Sequence, residues 1–157
     1  MKRVAIALLL VTASASAETK SEKTAKLAVT VPDGWKLDVK DAGLAGESKD
    51  KDIAVLVWPV DAMDAAAAQK KLDGELYRAV ANIKWDKPMP GKVHGMAATY
   101  VTGTGHAVGG DVTVKAAVIG PGKAKKSVLV ALAVKVDKLD AHKAEIQAVL
   151  DSVQAGK

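Results

Sequence analysis

The sequence predicts an α+β fold, an antiparallel sheet of about six or seven strands flanked by two long helices. Three observations support this prediction. Apolar and polar residues alternate in the first part of the chain, which indicates strands with one buried face. Two segments carry apolar residues at helical spacing, and three apolar segments joined by Gly-containing turns indicate an antiparallel meander.

The N-terminal residues are typical of a secretory signal peptide. Lys2 and Arg3 precede an apolar run over 4–11, and small residues follow up to Ala17. This pattern predicts cleavage after Ala17. The apolar run is far shorter than the ~20 residues that span a bilayer. We therefore expect a periplasmic or secreted protein that has no stable membrane insertion after cleavage of residues 1–17.

Composition restricts the function classes. Loss of Lys2 and Arg3 would lower the formal net charge of +5 by two, to +3, which argues against a nucleic-acid partner. The chain has no Cys, so disulfides, thiol chemistry and a Cys-based zinc site are excluded. Phe is absent as well, so the core is expected to be aliphatic.

We expect the polar segment over 18–26 to be a flexible leader. A single domain over 27–154 is predicted to follow it. Alternation then predicts strands over 27–31 and 35–39. The residues between them, 31–34, favour a type I turn, because Pro32 fixes φ at the first central position and Gly34 tolerates the exit geometry. Trp35 is expected to be the aromatic anchor of the second buried face.

A fully apolar segment, IAVLVW over 53–58, predicts a central strand that is covered on both faces and ends before Pro59. Apolar residues then recur at helical spacing and predict one amphipathic helix over 62–83, with Asp61 as its cap and Asp64 in its first turn.

Strands are predicted over 96–108, 111–119 and 127–136, with Gly109-Gly110 as the first hairpin turn. That turn would place His106 opposite Thr113 and Thr104 opposite Lys115. Gly103 and Gly105 on the other face leave room for a bulky side chain to pack closely, or they mark a bulge. A last helix, capped by Asp137 or Asp140, carries an apolar stripe composed of Leu139, Ile146, Val149, Leu150 and Val153.

Several motifs in this order resemble the PsbP-like superfamily. They are VPDGW, IAVLVW before a long helix, GKVHGMAATYVTGTG before a hairpin, SVLVALAV, and a final helix that ends in AVLDSV. The resemblance covers residues 27–153. It implies an antiparallel sheet sandwiched by helices and a binding or accessory module rather than an enzyme. The superfamily is named for an extrinsic protein of photosystem II. The metal-binding His and acidic positions of that protein have no match in this chain, so the resemblance implies no functional residue.

Catalytic motifs are absent from the sequence, which contains neither GxSxG nor HExxH. GTGHAVGG and GPGKAKKS only approach the glycine-rich nucleotide-binding patterns and are better explained as turns. On one continuous strand, His94 and His106 would lie roughly 40 Å apart and could not share a metal. A partly buried structural role is expected for His142. The sequence thus predicts neither a metal site nor a cofactor.

Two groups of residues are candidates for binding. A polar strip on one face of the meander could recognise a small anionic or glycan ligand, or it could simply keep a solvent-facing sheet soluble. The polar strip consists of Tyr100, Thr102, Thr104, His106, Thr113 and Lys115. A basic loop tip could contact an anionic envelope surface, or it could simply be solvated. The tip consists of Lys123, Lys125 and Lys126.

Two functions are consistent with the sequence. The first is a non-enzymatic exported module that binds an unknown protein partner or envelope component, and it accounts for the lack of catalytic motifs. The second is a periplasmic enzyme, for instance a hydrolase, whose residues converge only in the folded chain. A deep pocket that joins His94 or His106 to a carboxylate would favour the second.

Overall fold

The computed structural model describes residues 17–40, 43–61, 65–122 and 124–156. Eight strands form a large antiparallel sheet: β3 (Lys36–Lys40), β4 (Gly43–Glu47), β5 (Ile53–Val60), β6 (Val80–Trp85), β7 (Met89–Val93), β8 (Met96–Ala107), β9 (Gly110–Ile119) and β10 (Ser127–Lys135). Their order is β3-β4-β5-β10-β9-β8-β6, and β7 pairs with the first part of β8. A small sheet contains β1 (Glu18–Glu22), β2 (Leu27–Val31) and β11 (Gln154–Ala155).

The two helices, α1 (Ala65–Leu76) and α2 (Leu139–Asp151), cover opposite faces of the large sheet. On one face, Leu72 and Leu76 of α1 pack into one apolar cluster. On the other face, Ile146 and Leu150 of α2 join a second cluster that also contains the inner side chains of β2. The predicted α+β class is confirmed, but the sheets contain more strands than predicted and the helices are shorter.

The expected flexible leader over 18–26 is wrong. Residues Glu18–Glu22 form β1 and pair antiparallel with all of β2. The carboxylate of Glu22, itself only 5% exposed, accepts a hydrogen bond of 3.0 Å from the backbone N–H of Thr24. Ala25 is fully buried. Because β1 is polar and largely exposed, its residues carry no apolar alternation that could have indicated a strand.

The predicted helix over 62–83 is wrong in its second part. Its first residues, 62–64 with Asp64, lie outside the described residues, and α1 ends at Leu76. Val80 to Ile83 belong instead to β6, the edge strand that pairs with β8. The predicted caps of the last helix are also wrong, because Lys138 occupies the N-cap position of α2 and provides no side-chain hydrogen bond.

The central position of β5 is confirmed, since it pairs with β4 on one side and β10 on the other. Pro59 does not end this strand, which continues to Val60. Burial is complete on one face only: Val55 and Val57 are fully buried, whereas Ala54 is exposed.

A turn is present between β2 and β3 and passes the chain from the small sheet to the large one, but it spans 32–35, one residue later than predicted. The N–H of Trp35 donates to the carbonyl of Pro32 at 3.3 Å. Gly34, at the third position, has φ of 81°, which matches a type II turn rather than the predicted type I. Trp35 is 6% exposed, in agreement with its predicted role as a buried anchor.

The hairpin of β8 and β9 turns one residue earlier than predicted, at Val108-Gly109. His106 therefore lies opposite Asp111, and Thr104 opposite Thr113. The earlier turn changes the cross-strand partner of each residue by two positions. Because side chains alternate with a period of two, every side chain stays on its predicted face. The close approach predicted at Gly103 is also present, since a Cβ there would lie 2.6 Å from the ring of Trp85.

Candidate binding groove

A groove of about 310 Å³ lies between α2 and the large sheet. We call it the α2 groove. Its side-chain lining comes from β7, β8, β9 and one face of α2, and includes Met89, Tyr100, Thr102, Lys115, Leu139, Lys143, Ile146, Gln147 and Leu150. The groove thus combines apolar walls with a few converging polar groups, the usual composition of a small-ligand site.

Tyr100 forms one end of the α2 groove. Its ring lies on Gly91 of β7, where a Cβ would come within 2.6 Å of the ring. Its hydroxyl donates to the carboxylate of Asp151 at 3.3 Å, and Gln147 donates to the same oxygen at 2.9 Å. Burial, and then the Asp151 charge, raise the pKa of the Tyr100 phenol above 10.0. The phenol thus remains a neutral hydrogen-bond donor near pH 7.

Lys115 and Thr102 line the α2 groove from the sheet side. They are cross-strand neighbours in β9 and β8, and the ammonium of Lys115 donates to the Thr102 hydroxyl at 3.1 Å. Their proximity follows from the alternation of side chains along the two strands. The sequence pattern therefore correctly grouped Tyr100, Thr102 and Lys115 on one face.

Lys143 and Gln147 complete the α2 groove, and neither was among the candidate residues predicted from the sequence. They are four residues apart, so they lie on one side of α2. Lys143 interrupts the row formed by Leu139, Ile146 and Leu150. That interruption was the available signal, but it could not show which strands the helix would cover.

The rest of the predicted polar strip does not reach the α2 groove. Thr113 is only 5% exposed. Thr104 and His106 are exposed and line a separate, open cavity of about 610 Å³, together with Lys84 and Asp111. The imidazole Nδ1 of His106 contacts the carboxylate of Asp111, and both side chains are about two-thirds exposed.

The basic loop tip is only partly available for an anionic surface. Lys123 lies outside the described residues. Lys125 is exposed, with φ of 57° in the loop between β9 and β10. Lys126 forms an ion pair with Asp61 across the neighbouring loop.

His142 is partly buried, as predicted, but it belongs to a charged cluster that the sequence did not reveal. Its Nδ1 lies 2.9 Å from the Glu145 carboxylate and its Nε2 lies 3.2 Å from Asp50. The hydrogen bond to Glu145 is the main reason why the pKa of His142 is raised above 6.5. Lys135 donates to Asp52 at 2.8 Å beside this cluster.

The geometry of this cluster bears on metal binding. Ligand atoms of Asp50, Asp52 and His142 lie within 4.8 Å of one another, the one such group in the described part of the chain. A His with carboxylates at both nitrogens is best satisfied as an imidazolium, which donates twice and cannot bind a metal. The contacts thus fit an ion-pair cluster.

Comparison with solved structures identifies the fold. The solution structure of cyanobacterial PsbP (CyanoP) from Synechocystis sp. PCC 6803 is similar, with a TM-score of 0.68 and 13% identity over 90% of this chain and 93% of that one. The chain has a PsbP-like fold. No protein-family model and no curated protein sequence matches it.

Two other proteins share the PsbP-like fold. LpqN from Mycobacterium tuberculosis, described as involved in cell envelope biogenesis, has a TM-score of 0.58 and 13% identity, with 92% of each chain covered. The Ran-binding protein Mog1p from Saccharomyces cerevisiae has a TM-score of 0.56 and 12% identity over 90% of this chain and 96% of that one. Within the described ranges, no helix is long and apolar enough to cross a membrane.

Proposed function

We propose that this chain is an exported, non-catalytic module of the cell envelope that binds an envelope component in the α2 groove. The observation that carries the proposal is the groove itself. Its apolar walls are interrupted by Tyr100, Thr102 and Lys115, three polar groups held at fixed positions on a sheet. Groups fixed by a sheet can orient a ligand at a low entropic cost.

Two further observations support this proposal. Proteins of this fold include a Ran-binding protein and a protein involved in cell envelope biogenesis, so binding and accessory roles are represented on it. The N-terminal residues have the pattern of a signal peptide, and β1 begins at Glu18, the residue that would follow cleavage.

Photo-crosslinking in intact cells tests the proposal. A photoreactive amino acid at Gln147 would place the probe at the α2 groove, and the same probe at Gln69 on α1 would serve as the control on the opposite face. We expect an envelope component to be captured from Gln147 and not from Gln69, on a chain whose N-terminus is Glu18. Equal capture from both positions, no capture from Gln147, or an uncleaved chain in the cytoplasm would contradict it.

A hydrolase is the second candidate, and one observation favours it. His106 and Asp111, which contact each other, line an open cavity together with Thr104. However, electrostatic catalysis depends on a site that excludes water, and this pair is largely solvated. Turnover of ester or phosphoester substrates that is abolished by His106→Ala would establish the hydrolase and refute the non-catalytic proposal.

A further inference from the structure

Lys115 occupies an unusual place for a charged residue. It lies in β9, a central strand of the large sheet, on the face that α2 covers. Its cross-strand neighbours are Thr102 and Leu132, and the latter is fully buried. Partial removal of an ammonium group from water is costly unless an opposite charge compensates for it.

No opposite charge of the described chain compensates for Lys115. Two lysines at the sheet and its loops do meet carboxylates: Lys135 pairs with Asp52, and Lys126 pairs with Asp61. In contrast, the partner of Lys115 is the neutral hydroxyl of Thr102, at 3.1 Å. Lys143, across the α2 groove, likewise has no ion pair with any described carboxylate.

The hydroxyl of Thr102 adds a hydrogen-bond donor to the two ammonium groups of Lys115 and Lys143. Its oxygen accepts from Lys115, so its hydrogen remains available for another acceptor. Two ammonium groups and one hydroxyl therefore point to an anionic group. Asp151, at the Tyr100 end of the groove, would repel that anion, which places it towards Lys143. Asp151 and Lys143 are separated by about 12 Å along α2.

The remaining lining is apolar. Leu139, Ile146 and Leu150 of α2 face the sheet, and Met89 lies at the groove with 64% of its surface exposed. The groove volume of about 310 Å³ lies at the lower end of the range of about 300–1,000 Å³ that is usual for small-ligand sites. A monocarboxylate of the size of octanoate fits this volume.

We propose that the α2 groove binds a small organic anion with an apolar body. Its anionic group contacts Lys115, Thr102 and Lys143, and its apolar body packs along Ile146 and Leu150. This inference rests on the proposed function, because it takes the same groove as the binding site and assigns the chemical class of its ligand.

Titration of the mature chain with octanoate, followed by calorimetry and by NMR shifts of groove residues, tests the inference. We expect saturable binding, with shifts at Thr102 and Gln147. Acetate, which lacks the apolar body, and octanol, which lacks the charge, should each bind at least about tenfold more weakly. Higher salt should also weaken octanoate binding, since the attraction is partly Coulombic.

Two variants locate the charge. Lys115→Met and Lys143→Met keep an apolar side chain of similar length, and each should weaken octanoate binding, Lys115→Met by about tenfold. Lys84→Met, on a strand at the other cavity, is the matched control and should leave binding unchanged. Because a methionine suits the apolar face around Lys115, the variant should remain folded, and Thr102→Val offers a second test in the same place.

Octanol binding as strong as octanoate binding would overturn the inference, and so would unchanged affinity in both lysine variants or shifts confined to the cavity at His106. These failures are distinguishable from failure of the proposed function. Capture of an uncharged envelope component from Gln147 would contradict the anionic ligand and would still support a module that binds an envelope component. Octanoate binding without any capture from Gln147 would leave a groove of this chemistry without the proposed envelope role.

Discussion

Replacement of Trp35 by Ala should strongly destabilise the fold. Trp35 is 6% exposed and packs in the apolar cluster shared by the small sheet, the large sheet and α2. A buried Trp removes about 200 Å² from water, which at about 25 cal/mol per Å² amounts to about 5 kcal/mol. Ala retains a small part of that burial, so we expect a loss of about 4 kcal/mol, within the range measured for such substitutions.

A loss of this size should lower the melting temperature by about 10–20 °C for a domain of this length. Thermal unfolding followed by circular dichroism measures it. Val39→Ala is the matched control, since Val39 follows in β3 with 70% of its surface exposed, and its midpoint should change by a degree or two at most. If Trp35→Ala melts within that margin of wild type, Trp35 is not a core anchor.

Three further substitutions test other parts of the fold. The raised pKa of His142 means that its ion pairs stabilise the protein fully below pH 6.5 and lose this effect as the pH rises through the raised pKa. His142→Gln should therefore lower the melting temperature at pH 6 more than at pH 9, and an equal difference at both would refute the charged cluster. Gly103→Ala should destabilise by about 1–3 kcal/mol in urea unfolding, because the added Cβ meets the ring of Trp85 at 2.6 Å. Gly74→Ala has free space around the new Cβ within α1 and should instead stabilise by about 0.5–1 kcal/mol; a loss there would contradict the helix.

The sequence was a good guide to the elements whose side chains face a core. The meander strands were located to within one residue, because each alternates or is continuously apolar. The segment over 80–83 was misassigned because Val80 and Ile83 are three residues apart, a spacing that helices and irregular strands share. Pairing with β8 is what makes this segment a strand, and local periodicity carries no information about that pairing.

The candidate site was predictable in part. Alternation placed Tyr100, Thr102 and Lys115 on one face, and an error in the hairpin turn did not disturb this, because the register shifted by an even number of residues. The contribution of Lys143 could not be predicted, since the sequence does not state which sheet face α2 covers or which of its sides points inward.

The small sheet has a practical consequence for engineering this protein. Glu18 pairs with Val31 at one end of β2, and Ala155 pairs with Leu27 at the other, on the opposite edge. Strand geometry then separates Glu18 from Ala155 by about 13 Å along β2 and about 10 Å across it. A short linker could join them, and the fully exposed hairpin at Val108 offers a place to open new chain ends. A circularly permuted chain would then carry its tags at this hairpin, while the linker would hold β1 and β11 on either side of β2.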